Sequence, residues 1–578
     1  MMERNDKIIF SFHGAMTLLL EAYMARVLRI DGTLQESSGL SRTFDATDLS
    51  RRTILVLPLG LAAAASGARA AEPKRGGTMV MIVHPEPSTL AHYAVSAGNI
   101  PPIATQVYEG LCTYDWDQNP QPNLAKSWEV APDGKTITFK LQEGVTFHNG
   151  KPFTSADVQY SFMEILKKYN PIAPVMLAEL VAVDTPDPMT AVLRLANPAP
   201  YIMKALSGRD LPILCRSVFE GTDVLQNPSA NKPIGTGPFK FVSWERGQSV
   251  RLDRNEQYWK PGLPYLNRIV ARFIPDAATR SAAMEAGEAH FAGYSAVNYA
   301  DLARMKTNPI LDLTTKGYEM TPAQSVLELN GRHPQLQKKA VRQAIAYAID
   351  RKVILKDVMF GYGLPATGPL SRKFKTAGLY TDDVRQYDVP DRLDIANRLL
   401  DEAGAPRGAD GTRFGLHLEV NSFGEQWLRQ AEYLKQALAI VGIAVTLRSE
   451  DTATWLRRVY TNYDYDLNEP FLSQGVDPVY GLNKQFLTSQ IRKGVTFVND
   501  TFYSNPEVDR MLGEGAREPD AEKRAALYKK VQQVLAEDSP MIWLIDVQYV
   551  SVFNRRLKDH TTGPLGTQQA FERAWMDK

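Results

Sequence analysis

Cysteine is nearly absent from this chain: two occur in 578 residues, Cys112 and Cys215. That leaves room for one disulfide at most and excludes a disulfide-dense scaffold. Excess charge is missing too. Lys and Arg total 66 against 65 Asp and Glu, a net charge of +1, which gives no support for a nucleic-acid partner. The chemistry-bearing motifs are also lacking: there is no HExxH, no GxxxxGK[ST], no GxSxG and no CxxC. Gly235-Thr236-Gly237 is followed by Pro238, which does not suit a phosphate cradle feeding a helix. His148 and His333 are isolated and read as surface or structural histidines, so no metal site and no cofactor are expected. Nothing points to an enzyme.

What is present begins at Ser50-Arg51-Arg52-Thr53, followed by an apolar run from Ile54 to Ala65 and then Ala68-Arg69-Ala70-Ala71. An arginine pair, a short apolar stretch and an A-x-A pattern describe a twin-arginine export signal spanning 50–70 and cleaved after Ala70. The run is about a dozen residues and contains Pro58, short of the roughly 20 that a membrane-spanning helix needs. No cysteine stands at the cleavage site, so the expected product, 71–578, is free in the periplasm rather than lipid-anchored. Residues 1–49 form a long leader, either an amphipathic helix or, the preferred reading, sequence upstream of the true start. In the periplasm Cys112 and Cys215 could pair, or both could stay reduced and buried; the sequence leaves both open.

The mature length exceeds what one core holds, since single cores stop growing near 250–300 residues, so two or three domains are expected. Ile137, Phe139 and Leu141 alternate along a half-buried strand at Thr136–Leu141, entered from the turn Pro132-Asp133-Gly134. The segment from Ser155 to Lys168 reads as a helix. Val341, Ala344, Ile345, Ala348 and Ile349 fall at helical spacing. Ala396, Leu399, Leu400 and Ala403 repeat it before Gly404, and Trp427, Ala431, Leu434, Leu438 and Val441 do so before Gly442, glycines placed as C-terminal caps. A last helix over Ala521–Glu537 stops at Pro540, before an apolar strand, Met541–Ile545. Strands and helices alternate throughout, so the class is α/β.

Several stretches carry a resemblance. They are Leu124-Ala125-Lys126-Ser127-Trp128-Glu129-Val130, Gly144-Val145-Thr146-Phe147-His148-Asn149-Gly150-Lys151-Pro152-Phe153, and Ile234-Gly235-Thr236-Gly237-Pro238-Phe239. Asn255-Glu256-Gln257-Tyr258-Trp259, Ala348-Ile349-Asp350-Arg351 and Leu399-Leu400-Asp401-Glu402-Ala403-Gly404 follow in order. Together they resemble the family 5 solute-binding proteins of bacterial ABC importers. The resemblance implies a two-lobed, three-domain clamshell with the ligand cleft between lobes. Lobe I would comprise 71–112, 233–327 and the tail 549–578, a small second domain 113–232, and lobe II 328–548. It implies a monomeric receptor that passes a small solute to an inner-membrane permease. A short peptide is the expected solute; an opine, an oligosaccharide, haem or a nickel chelate is the alternative. A sensing subunit or a periplasmic hydrolase is the less favoured reading.

Most signature residues read as architectural: Trp128 and Phe139 as core, Gly235 and Gly237 as sharp turns at a domain crossing. For the ligand, the resemblance implies an aspartate holding an α-ammonium group, and Asp477 in Gly475-Val476-Asp477-Pro478 is the match. Ser96 and Asn99 are expected to bond ligand backbone groups from lobe I. Asn421, Ser422 and Phe423 are expected to line the cleft from lobe II, and Trp455 either to form an apolar wall or to pack in the core.

Overall fold

The computed structural model describes residues 72–577, Ser422 and Phe423 excepted; the export signal and leader lie outside it. The chain opens with β1 (Thr78–Ile82) and then leaves its sheet to build the small domain. There β2 (Ala125–Val130), β3 (Thr136–Leu141), β4 (Leu180–Asp187) and β5 (Thr190–Leu195) form an antiparallel sheet in the order β2-β3-β5-β4. The alternation in β3 puts Ile137, Phe139 and Leu141 in the core. The helical segment predicted from Ser155 is there, and a π-helical stretch at Tyr160–Leu166 interrupts it.

Returning to the first sheet, the chain adds β6 (Phe239–Glu245), β7 (Ser249–Arg254), β8 (Arg268–Arg272), β9 (Phe291–Ala292) and β10 (Leu311–Thr314). It then crosses at 315–322 into the second sheet. That sheet holds β11 (Ala323–Leu329), β12 (Gly363–Pro365), β13 (Phe414–Glu419), β14 (Ile443–Arg448), β15 (Leu467–Asn468), β16 (Phe471–Ser473) and β17 (Met541–Val547). A second crossing at 548–550 leads to β18 (Ser551–Asn554), back in the first sheet. The sheet orders are β10-β18-β9-β1-β8-β7-β6 and β12-β17-β11-β15-β13-β14, with β16 on β11. The expected lobe boundary at 327/328 moves to 322/323, because β11 pairs with β15, β16 and β17 along its whole length.

Helices α1 (Lys339–Ala348), α2 (Arg392–Glu402), α3 (Glu425–Ile440), α4 (Pro506–Arg517) and α5 (Ala521–Asp538) belong to the second lobe. The apolar stripes read from the sequence are their buried faces: Val341, Ala344, Ile345 and Ala348 on α1, and Trp427, Ala431, Leu434 and Leu438 on α3. Gly404 and Gly442 sit at φ 71° and 85° just past α2 and α3, the left-handed position that lets a C-terminal turn close without a Cβ clash.

Gly235 and Gly237 have a different reason from the one expected. Neither has a positive φ. Their segment lies backbone against backbone on 106–107, with the Gly237 and Phe239 N–H groups donating to the carbonyls of Val107 and Gln106 at 2.9 and 3.1 Å. A Cβ on Gly235 would stand 2.0 Å from the Val107 carbonyl oxygen. The residues are small because two backbones touch.

Three distant stretches meet beside this contact. The buried carboxylate of Glu109 accepts from Thr236 Oγ1 at 2.8 Å, Tyr258 Oη at 2.9 Å and Trp259 Nε1 at 3.0 Å. Tyr258 Oη also lies 2.7 Å from Glu572 Oε2. Burial pushes the Glu109 carboxyl up, and Lys260 works against it. Cys112 and Cys215 are both buried and not joined by a disulfide, which decides between the two states the sequence left open; burial pushes the Cys112 thiol up to about 12.

Glu109→Ala strands three donors, each orphan costing about 1–3 kcal/mol. Urea denaturation is expected to give a loss of about 3 kcal/mol or more, with Glu109→Gln losing clearly less.

Candidate ligand cleft

Strand directions place the cleft. In lobe I, β1 is parallel to β8 and β9, and β10 runs with them because both β9 and β10 are antiparallel to β18. The chain therefore leaves for lobe II from the carboxyl ends of these strands. In lobe II, β11 starts at the crossing and β15 is antiparallel to it, so β15 and its parallel partners β13 and β14 also end at the crossing. Both lobes thus turn strand carboxyl ends, where open α/β sheets bind ligands, onto one cleft. On another side the second lobe meets the small domain: Tyr480 Oη donates to the Tyr201 carbonyl at 3.1 Å, and Arg517 pairs with Glu179 at 2.9 Å.

On the lobe I wall, a small cavity of about 20 Å³ is lined by Val83, His84, Gly98, Asn99, Gly293 and Tyr294 among others. Asn99 is held there by donating its Nδ2 to the Pro85 carbonyl at 3.0 Å. Ser96 is exposed earlier on the same loop. Burial, with Arg280 nearby, pushes the His84 imidazole down to about 4, so it presents a neutral ring.

Three tyrosines fasten the crossings. Tyr294 and Ser295 hold φ of 55° and 52°, unusual for residues with side chains. The Tyr294 ring stacks on Tyr549 with centroids 4.2 Å apart, and Tyr318 lies 5.4 Å from Tyr549. Tyr318 Oη is 2.6 Å from Ser551 Oγ and accepts the Tyr294 N–H at 2.7 Å. From lobe II, Lys373 Nζ donates to the Tyr318 carbonyl at 2.6 Å, and burial pushes its ammonium down to about 8.

On the lobe II wall, Asn421 is buried just beyond β13. Glu469 is buried just beyond β15 and accepts from Gln430 Nε2 at 3.2 Å. Trp427, in the first turn of α3, stacks on Phe471 with centroids 5.5 Å apart and planes 5° apart. Ser422 and Phe423 lie outside the described residues.

Two of the candidate residues have their partners inside the protein. Asp477 is buried, its Oδ1 2.6 Å from Arg524 Nη2, and it accepts the Val479 N–H at 3.1 Å. Its charge is matched inside the protein by Arg524, as in a structural ion pair. Trp455 is 1% exposed, packed with Val459, Tyr460 and Tyr465 in a separate small core, with Nε1 on Asn468 Oδ1 at 2.9 Å. Of its two expected roles, these surroundings fit the core.

Sequence reasoning passed over the three tyrosines, Gln430, the stacking of Trp427 on Phe471, and Glu469. Only Glu469-Pro470 carried a signal, as a charged residue interrupting the apolar stretch from Leu467 to Leu472. Among the described residues no cluster of three His, Cys, Asp or Glu could hold a metal, and no helix is long and apolar enough to cross a membrane.

Two α/β lobes joined by paired crossings, with both sheets ending on one cleft, define a clamshell binding protein. The family model described as bacterial extracellular solute-binding proteins, family 5, matches residues 119–500. The chain belongs to this family, the solute-binding receptors of bacterial ABC importers. It is 28% identical over 540 residues to the glutathione-binding protein GsiB of Escherichia coli K12, covering 89% of this chain and 96% of that one. The structure of AgaA from A. tumefaciens R10, solved with agropinic acid, superposes with a TM-score of 0.73 at 26% identity over 87% of this chain and 99% of that one. DppA of Helicobacter pylori, solved with the peptide STSA, gives 0.74 at 24% identity over 87% and 99%.

Asp477→Ala leaves Arg524 buried without its partner, a change that costs about 3–5 kcal/mol in comparable pairs. A fall of that size in the unfolding free energy of the solute-free protein is expected; an unchanged denaturation midpoint would restore a ligand role.

Proposed function

We propose that this chain captures a small, peptide-like solute between its lobes outside the inner membrane and delivers it to an ABC permease. The observation that carries this reading is the facing of two sets of strand carboxyl ends across a double crossing. That arrangement encloses a solute from both sides and couples its presence to the lobes' relative position. Peptide-like chemistry is favoured by the names of the relatives, a glutathione-binding protein and a protein solved with a tetrapeptide. The protein acts as a monomeric binding protein without turnover of its solute. It reaches the periplasm through the twin-arginine segment at 50–70 and is processed after Ala70. A non-peptide solute is the second reading, favoured by the likeness to a protein solved with agropinic acid.

Native mass spectrometry of the protein purified from the periplasm, followed by denaturation and identification of what is released, tests the proposal. Short peptides in stoichiometric amount are expected. A single non-peptide species keeps the receptor and replaces the solute class. Stoichiometric conversion of a bound molecule would overturn the binding-only role.

A further inference from the structure

Two buried acids meet in lobe II, at the end of β11 remote from the crossing. Glu328, next to last in β11, is 0% exposed, and Asp500, on a loop packed against that strand end, is 2% exposed. Protein donors hold each carboxyl from one side only. Asn468 Nδ2, directly across on β15, donates to Glu328 Oε2 at 2.5 Å. Tyr465 Oη lies 3.0 Å from Asp500 Oδ2 and 2.8 Å from the Asp500 carbonyl oxygen. Glu328 Oε1 and Asp500 Oδ1 have no donor among the described residues. Yet the two carboxyl groups are hydrogen-bonded to each other. Ionised carboxylates only accept, so this bond exists only while the pair holds a proton.

The same place joins the loop to the strand. The Gly331 N–H donates to the Thr501 carbonyl at 3.0 Å, and a Cβ on Gly331 would stand 2.6 Å from that oxygen. Asn499 Nδ2 donates to the carbonyls of Leu487 and Tyr503 at 3.1 and 2.8 Å. The surrounding groups do not take over the proton's part. Tyr460 and Tyr465 face both acids, and burial pushes their phenols well above the usual range, so they stay neutral. Tyr463 faces Asp500 from the surface side, with Arg332 over its ring at 5.9 Å. Lys484, in the helical turn Lys484–Phe486, acts on Glu328, but burial pushes its own ammonium down to about 8. Its help fades as the pH rises.

We propose that Glu328 and Asp500 share one proton, and that this proton fastens the loop at 498–502 to β11, so that lobe II tightens as pH falls and loosens as pH rises. Unfolded carboxyls lose their protons near about pH 4. In the folded lobe, burial is the main force holding Asp500 up to about 6 and Glu328 well above its ordinary value; the neighbouring acid adds to it at Glu328. The folded state therefore keeps a proton that the unfolded chain has already released. The stabilisation is complete below the unfolded value and is lost as pH rises through the folded ones, about tenfold in the folding equilibrium constant per pH unit for one proton.

Urea denaturation of the whole protein from about pH 5 to about pH 9, with Glu328→Gln and Asp500→Asn beside the wild type, tests this. Each amide supplies an N–H that does not titrate, in place of the shared proton. The ratio of the wild-type folding constant to that of either variant is expected to fall, by up to about tenfold per pH unit. Curves that run parallel across the range overturn the proposal, because a pair that merely packs shifts all pH values alike. Hydrogen exchange at the Gly331 amide, corrected for the intrinsic effect of pH, gives a second reading. It is expected to quicken with pH in the wild type and to stay level in the variants. Level corrected exchange in the wild type overturns the proposal without any variant, so it stays open to refutation even if a variant fails to fold.

Discussion

A single buried carboxylate organises the first lobe. Glu109 gathers hydroxyl and indole donors from Thr236, Tyr258 and Trp259, two segments more than a hundred residues further along the chain. Beside it, the Gly235–Gly237 backbone is pressed onto residues 106–107 so closely that no side chain fits between. The two contacts are complementary. The glycines permit the approach, and the carboxylate gives the polar groups carried in by that approach a common acceptor inside a low-dielectric interior. Through them the small domain, which separates β1 from β6 in sequence, leaves the first sheet intact, and the strand ends forming one wall of the cleft keep their places.

The second lobe shows two opposite uses of a buried acid. Asp477 is neutralised by Arg524 and locks a loop to α5. Glu469 accepts from two neutral donors, and its Oε1 has no partner among the described residues. Burial alone does not separate the two, since both side chains are almost fully covered. The partner does: a guanidinium closes the account of one carboxylate, and two amides leave the other open.

Much of the fold was legible in the residues because it depends on local periodicity. The stripe on Val341, Ala344, Ile345 and Ala348, the alternation in Thr136–Leu141 and the capping glycines Gly404 and Gly442 are rules of spacing, and the chain obeys them. The cleft was less legible because its members are joined by topology. Asn99 stands on the lobe I cavity and Asn421 at the end of β13, yet nothing near Asp477 in sequence announces Arg524, which arrives from α5. Trp455 could not be placed in a core or a wall until its indole was seen on Asn468. The tyrosines of the crossings were invisible for the same reason: Tyr294, Tyr318 and Tyr549 lie in three separate stretches and meet only because two sheets share two connections.

Those connections are unequal, and the inequality has a mechanical meaning. One spans 315–322, the other only 548–550, and three residues reach about 10 Å at full extension. The lobes cannot draw apart along the line joining them; the shorter tether forbids it. What remains is rotation about a pivot near Gln548–Val550, with the longer tether bending to follow. A rotation of a few degrees at a pivot moves the far rim of a lobe by ångströms while barely displacing what lies beside the axis. The stacked Tyr294 and Tyr549 sit by the shorter tether, close to the axis, where a rotation displaces them least.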